Sequence, residues 1–277
     1  MKPAAFAYRA VETVEEALAA LTELGSDATV IAGGQSLMPL LNLRLARPSA
    51  LVDVSRIATL SGISANGALQ LGATTRQADA LRSPQVAERA PLLAEALRHV
   101  GHPATRSRGT VGGSIAHADP AAELPAVLLA LEGEAIVVSA AGERTIAASS
   151  FFLGPFTTAL TEGDLLTALR LPDPPPGARH GFVEIARRRG DFALAGAAVV
   201  VASGYARVAL FGVGPAAFRA TEAEHALAQG AGAEEAAQLA AAAARPFGDA
   251  HATASYRREG ARVATLRALL AAGSPGA

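Results

Sequence analysis

Hydrophobic and polar positions follow two different periods along this chain, and the changes of period outline its elements. Over residues 13–24, Val14, Leu18 and Leu21 fall on one helical face, and Thr13 and Glu16 stand at capping-box spacing, so a helix is predicted there. The short apolar run Ala28–Ile31 predicts a buried strand leading straight into Gly33-Gly34, and residues 51–54 predict another after the breaker Pro48. Beyond it the pattern changes to short strands and turns, such as residues 69–73 after Asn66-Gly67, with helices expected near 75–81 and 92–100. From 101 to 119 neither period holds. A polar, glycine-rich stretch of that length inside a compact domain is usually functional or disordered. Asp119 suits an N-cap and Pro120 a first helical position, which predicts a helix running to about Glu132-Gly133.

Strands are expected at 135–139 and 165–171, and then comes the clearest linker, residues 172–177 with three consecutive prolines. Strands at 182–187, 194–201 and 207–213 follow, the last two joined by a hairpin turn at Ser203-Gly204. Helices near 221–228, 234–244 and 254–272 close the chain. The pattern divides near residue 175 into a first part, 1–175, with subdomains of about 1–55 and 56–175, and a smaller α+β domain, 176–277.

Composition narrows the chemistry. Hydrophobic residues make up 51% of 277, but 68 of them are Ala, so large apolar side chains are scarcer than that figure implies. A net charge of −1 offers no basic stripe for nucleic acid. The absence of Cys excludes disulfides, thiol nucleophiles and thiolate-held iron–sulfur clusters on this chain. Residues 1–10 lack the apolar core of a signal peptide, and no apolar run reaches about 18 residues, so neither secretion nor a membrane span is expected. A cytoplasmic, globular α+β protein is the expectation.

Two segments stand out: Ala32-Gly33-Gly34-Gln35-Ser36-Leu37, and Thr110-Val111-Gly112-Gly113-Ser114 with its continuation to Asp119. Glycine lets backbone N–H groups approach a ligand with no Cβ in the way. Successive N–H groups form a nest for phosphate oxygens, and hydroxyl side chains add donors. One glycine pair alone more often makes a tight turn, whereas two with such flanks favour a nucleotide site gripping a pyrophosphate from both sides. No Gly-x-Gly-x-x-Gly lies between a strand and a helix, and the only lysine is Lys2, so Rossmann and Walker sites are unsupported. His99 and His102 are separated by Gly101, with no thiol or tight carboxylate cluster nearby, so no metal site is expected. Asp249, His251, Ser255 and Tyr256 read as the start of a capped terminal helix rather than a nucleophile set, and no acid–base constellation is evident.

The segment AGGQSLMPLLNLRLARPSALVDVS (32–55) resembles the first flavin-binding signature of the FAD-binding subunits of molybdenum hydroxylases, a group that includes carbon monoxide dehydrogenase medium subunits and the xanthine dehydrogenase middle domain. TVGGSIAHADPAAELP (110–125) resembles the second signature, while FVEIARRRGDFALAGAAV (182–199) and DAHATASYRREGARV (249–263) resemble the C-terminal domain. The resemblance implies a vanillyl-alcohol-oxidase-type fold, two α+β subdomains with FAD between them, followed by a smaller α+β domain. It implies that Ala32, Gly33, Gly34, Gln35 and Ser36 cradle the pyrophosphate with Leu37 beside it, and that Thr110, Gly112, Gly113 and Ser114 contact phosphates and flavin. Glu123 falls near the ADP ribose, Leu165 is an apolar wall, Phe192 lies close to the isoalloxazine, and His117 is a further cofactor contact. Asp119 is read as a helix cap. Related chains often carry Lys in the strand beginning at Phe182, where this one has Val183, Glu184 and Ala186; Arg187 or Arg188 is the alternative cation.

The function implied is electron transfer. A separate large molybdopterin-binding subunit oxidises the substrate, a small 2Fe-2S subunit relays electrons to FAD on this chain, and an external acceptor takes them, in a dimer of heterotrimers. Two alternatives stay open: a free-standing FAD-dependent oxidase or reductase with its own organic substrate, and a non-catalytic assembly subunit. The first requires a base or Arg over the flavin, for which only Arg187-Arg188-Arg189 is a candidate, and both intact glycine pairs speak against the second. Carbon monoxide, an aldehyde, a purine or another heterocycle all remain open as substrate.

Overall fold

The computed structural model describes residues 2–273, and three main sheets follow one another along the chain. The first part comprises β1 (Ala7–Ala10), α1 (Val14–Leu24), β2 (Ala28–Ile31), α2 (Leu37–Asn42) and β3 (Ala50–Asp53). Its strands run parallel in the order β1-β3-β2. Thr13 caps α1 as its spacing predicts, accepting from the Glu16 N–H at 3.1 Å. The return bond reaches one residue further upstream than a capping box requires, because the Glu16 carboxylate accepts from the Glu12 N–H at 2.8 Å. Ala17, Ala20 and Leu21 bury the inner face of α1 against Val52 and Val54. The first glycine pair leaves this sheet at the carboxyl end of β2, the side on which open parallel sheets bind ligands.

The second part holds β4 (Ile63–Ser64), β5 (Leu69–Gly72), α3 (Gln77–Arg82), α4 (Pro84–Arg89), α5 (Pro91–Leu97), α6 (Pro103–Arg108), α7 (Val111–His117) and α8 (Glu123–Ala130). It continues with β6 (Glu134–Ser139), β7 (Gly142–Ala147), α9 (Ala148–Phe151), β8 (Phe152–Gly154), β9 (Thr157–Thr158) and β10 (Leu165–Leu171). Five strands form an antiparallel sheet, β4-β5-β10-β6-β7, and β8 with β9 make a separate small hairpin. Two expectations are corrected here. Residues 101–119 are not irregular but contain α6 and α7; α6 buries none of its residues, so it shows no apolar stripe, and α7 is made of small ones. Nor does Asp119 cap the next helix. Its carboxylate accepts from the Ala121 N–H at 2.8 Å in a local turn, and α8 starts only at Glu123. Strand β7 escapes the periodicity because it is an exposed edge of polar residues.

The third part comprises β11 (Arg179–Ile185), β12 (Ala195–Ala202), β13 (Tyr205–Phe211), β14 (Phe218–Arg219), α10 (Thr221–Ala228), α11 (Ala233–Ala243) and α12 (Ala254–Ala271). Its antiparallel sheet runs β11-β12-β13-β14, with Gly204 at φ 65° in the predicted turn between β12 and β13. Both faces are covered. Phe182, Ala198, Val200 and Phe211 pack into the core around α5 and α8, while Val199, Val208 and Leu210 pack against the closing helices. Strand β12 therefore shows an unbroken buried run rather than alternation. The abundance of Ala has its use here: Ala236 and Ala240 of α11 and Ala261, Ala264 and Ala268 of α12 are all fully buried, letting backbones approach closely. The apolar core runs without a break across the proline-rich segment. Among the described residues no helix is long and apolar enough to cross a membrane.

Gly196 and Phe211 are cross-strand partners, and a Cβ on Gly196 would overlap the Phe211 ring. Gly196→Ala is therefore expected to cost about 1–3 kcal/mol of stability through overpacking. Urea unfolding checks this; an unchanged midpoint would show that the ring has room to yield.

Candidate cofactor site

A cleft of about 250 Å³ opens between the first two parts. Thr29, Val30, Ile31 and Val54 give it an apolar floor, and the two glycine pairs face each other across it. At each pair, backbone packs directly on backbone. A Cβ on Gly33 would overlap the Arg108 carbonyl, and one on Gly112 would stand 2.6 Å from the Ala73 Cα. Gly34 adopts φ 70°, a left-handed turn that favours glycine and carries the chain from β2 into α2.

The two walls differ in what they offer. Among the described residues, no protein acceptor takes a hydrogen bond from the N–H groups of Gly33, Gly34, Gln35, Ser36 or Leu37. The second wall is already satisfied. Val111 N–H donates to Thr75 O at 3.0 Å, Gly112 N–H to Ala73 O at 2.9 Å, Gly113 N–H to Thr110 Oγ1 at 3.0 Å and Ser114 N–H to Thr110 O at 3.2 Å. The first pair thus presents donors, while the second presents bare backbone surface.

Of the residues singled out from the sequence, Ala32, Gly33, Gly34, Ser36, Leu37, Gly112, Gly113, His117 and Leu165 line the cleft. Gln35 does not; its amide donates to Gly33 O at 3.0 Å and braces the loop. Thr110 is buried behind the wall as the cap of α7, and Ser114 is half-buried and not part of the lining. Glu123 is buried at the start of α8, away from the lining, and Phe192 is 74% exposed between β11 and β12. Arg187 turns to Asp191, 3.9 Å away.

Several lining residues gave no sequence signal. The buried Thr74 hydroxyl has no hydrogen-bond partner among the described residues, a donor and acceptor waiting for an oxygen-rich ligand. A lone Thr after a strand carries no pattern that marks it. Asp164 also lines the cleft, bonded to Arg144 at 2.7 Å and to the Thr161 N–H and hydroxyl. The Arg144 guanidinium holds its carboxyl down to about 2, and both carboxylate oxygens are engaged in that ion pair. Burial lowers the His117 pKa against the opposing pull of Asp119, which keeps the ring neutral near pH 7.

Outside the cleft lie two buried carboxyls. Burial raises Glu184 to about 8, helped by Glu123, which burial itself raises to about 7. The Glu184 side chain is 4% exposed, and its nearest basic group, His99 Nδ1, is 3.7 Å from Oε2. No arginine pairs with it among the described residues.

A donor-rich loop facing glycine across the cleft, in a mixed α+β chain, is suited to a phosphate-bearing ligand. Residues 4–174 match the FAD binding domain in molybdopterin dehydrogenase, and residues 180–272 match the CO dehydrogenase flavoprotein C-terminal domain. The carbon monoxide dehydrogenase medium chain of Hydrogenophaga pseudoflava is 39% identical, over 98% of each chain. The 6-hydroxypseudooxynicotine dehydrogenase complex subunit alpha of Paenarthrobacter nicotinovorans is 40% identical, over 97% of this chain and 95% of that one. The solved carbon monoxide dehydrogenase of Hydrogenophaga pseudoflava superposes with a TM-score of 0.95 and covers all of both chains at 39% identity. Quinoline 2-oxidoreductase of Pseudomonas putida 86 gives 0.89 at 37% identity, with 99% of each chain covered. The chain belongs to the FAD-binding medium subunits of the molybdenum hydroxylase family. It is an oxidoreductase subunit, its cofactor is FAD, and its mixed α+β fold is the FAD-binding domain plus C-terminal domain expected from the sequence.

The two buried carboxyls set a pH dependence. An unfolded chain releases these protons in the ordinary Glu range, whereas the folded protein holds them to about 7 and about 8. Between those limits the folded state binds more protons, so stability falls as pH rises. Glu184→Gln is expected to raise Tm by several degrees at pH 8 while changing it little near pH 4.5. Thermal scans across that range check it, and a variant as pH-sensitive as the parent would contradict the burial argument.

Proposed function

We propose that the chain is the cytoplasmic electron-transfer subunit of a molybdenum-containing hydroxylase, taking electrons from iron–sulfur clusters on a partner and passing them to an external acceptor. The observation that carries this reading is the unequal cleft, with five unengaged N–H groups on one wall and glycine surface on the other. When bound, FAD supplies the redox chemistry. The chain's own residues bind and orient it. The N–H groups of Gly33 to Leu37 take the pyrophosphate oxygens. Thr74 offers its hydroxyl, neutral His117 one further hydrogen bond, and Leu160 and Leu165 exclude water. Thr110 acts at a remove by holding α7, and Gln35 by bracing the loop. For Ser114, Glu123 and Phe192, resemblance alone speaks for a cofactor contact.

The partners follow from the same reading. Medium chain and complex subunit are the designations of the relatives, which supports larger and smaller partner chains; the family resemblance assigns molybdopterin to the large one and a 2Fe-2S cluster to the small one, in a dimer of heterotrimers. With no Cys here, the clusters must be on a partner. The division near residue 175 falls between the two matched spans. The relatives' names point to different substrates, in keeping with selectivity residing on the large subunit.

Isolation of the native complex should yield both partner chains with molybdenum and iron; a self-sufficient single chain turning over an organic substrate would overturn the proposal. A Cβ on Gly113 would stand 2.6 Å from Thr110 Oγ1, on the wall of the cleft. Gly113→Asp is thus expected to lose most bound flavin, read from the absorbance of the purified protein, and unchanged flavin content would refute this placement of the pyrophosphate.

A further inference from the structure

The cleft, at about 250 Å³, is smaller than the roughly 300–1,000 Å³ of pockets that enclose a small ligand. FAD carries two ring systems joined through a pyrophosphate. With the pyrophosphate on the Gly33 to Leu37 loop, one ring system must rest outside, against the surface at the mouth. That surface carries an aromatic side chain. The β8–β9 hairpin reaches α7 with its tip, Pro155-Phe156, and the Phe156 N–H donates to Ala118 O at 3.1 Å. The Phe156 ring centroid stands 5.1 Å from that of His117, which lines the cleft, with the planes 47° apart. Phe156 is nonetheless 59% exposed.

Both residues joined by that hydrogen bond are strained. Ala118 has φ 50° and Phe156 φ 53°, a left-handed conformation that costs a non-glycine residue roughly 1–2 kcal/mol. Burial does not compensate at Phe156, whose ring lies outside the apolar cores. Strain of this kind collects at binding sites, where the surroundings hold a side chain where a ligand needs it.

We propose that Phe156 is a cofactor-binding residue, its ring braced on one side by His117 and stacking on the ring system of FAD that lies outside the cleft. The proposal rests on the cleft being the FAD site. Phe156 and His117 come from hairpin and helix, 39 positions apart, and no motif joins them.

The chain has no Trp, so Phe156→Trp creates a single emitter at the tip. Flavin also quenches at a distance, so Phe247→Trp, exposed in the third part, serves as the control. Addition of FAD to the flavin-free full chain should quench Phe156→Trp emission several times more strongly than Phe247→Trp. ADP and FMN, added separately, then tell which ring stacks: a response to ADP assigns adenine, and one to FMN assigns the isoalloxazine. At φ 53° glycine is unstrained, so Phe156→Gly removes the ring while keeping the fold, with Tm equal to or above that of the parent. Its Kd for FAD should rise about tenfold, whereas that of Phe156→Tyr should stay within about threefold. Equal quenching at the two Trp positions, or a Phe156→Gly variant that binds FAD as tightly as the parent, overturns the proposal. A parent chain that binds no FAD overturns the cofactor site itself, a separate failure seen before any variant is made.

Discussion

Backbone against backbone, with no side chain between, is the contact on which the site depends. At Gly33 the first loop rests on the Arg108 carbonyl, and at Gly112 helix α7 rests on Ala73. A Cβ at Gly33 would push the first loop off the second part, and one at Gly112 would push α7 off the turn after β5. The rest of the second part serves this apposition. Gln77 N–H bonds Gly109 O at 2.9 Å, Val111 N–H bonds Thr75 O, and the Arg76 guanidinium holds the Arg108 carbonyl, so the segment before α7 is tied to the turn after β5. Those bonds also use up the second wall's donors, which leaves phosphate recognition to the first.

The electrostatics complement this asymmetry. The unengaged N–H groups of the first loop turn positive potential toward the cleft, while the Asp164 charge in the lining is paired with Arg144. The third part contributes by support. Its sheet packs Phe182 and Phe211 on the core of α5 and α8, next in the chain to the helix that carries His117. The Glu123 and Glu184 carboxyls lie buried along that support, and burial raises the pKa of both.

Much of this was legible in the sequence. Apolar periodicity located α1, β10 and the last three helices from their buried faces, whereas β2, expected to be buried, is only half-buried because Thr29, Val30 and Ile31 line the cleft. The glycine pairs marked the cleft because close backbone approach admits no other residue, and resemblance then identified the cofactor. What stayed hidden had physical reasons. α6 buries nothing and α7 is built from small residues, so neither writes an apolar stripe. Asp119-Pro120 has the composition of a helix start, yet Ala118 in the left-handed region turns the chain first and the helix waits for Glu123. Thr74, Asp164 and Phe156 reach the site through tertiary contacts alone. The Thr110 hydroxyl caps α7 and stands outside the cleft lining, a placement its position in the motif does not reveal.

The central claim, that the first glycine loop supplies the phosphate donors and the second only surface, is tested most directly by amide hydrogen exchange with and without FAD. Strong new protection at residues 33–37, with little change at 111–114, whose N–H groups are already bonded within the protein, is the expected result. Protection gained at 111–114 with none at 33–37 would contradict it.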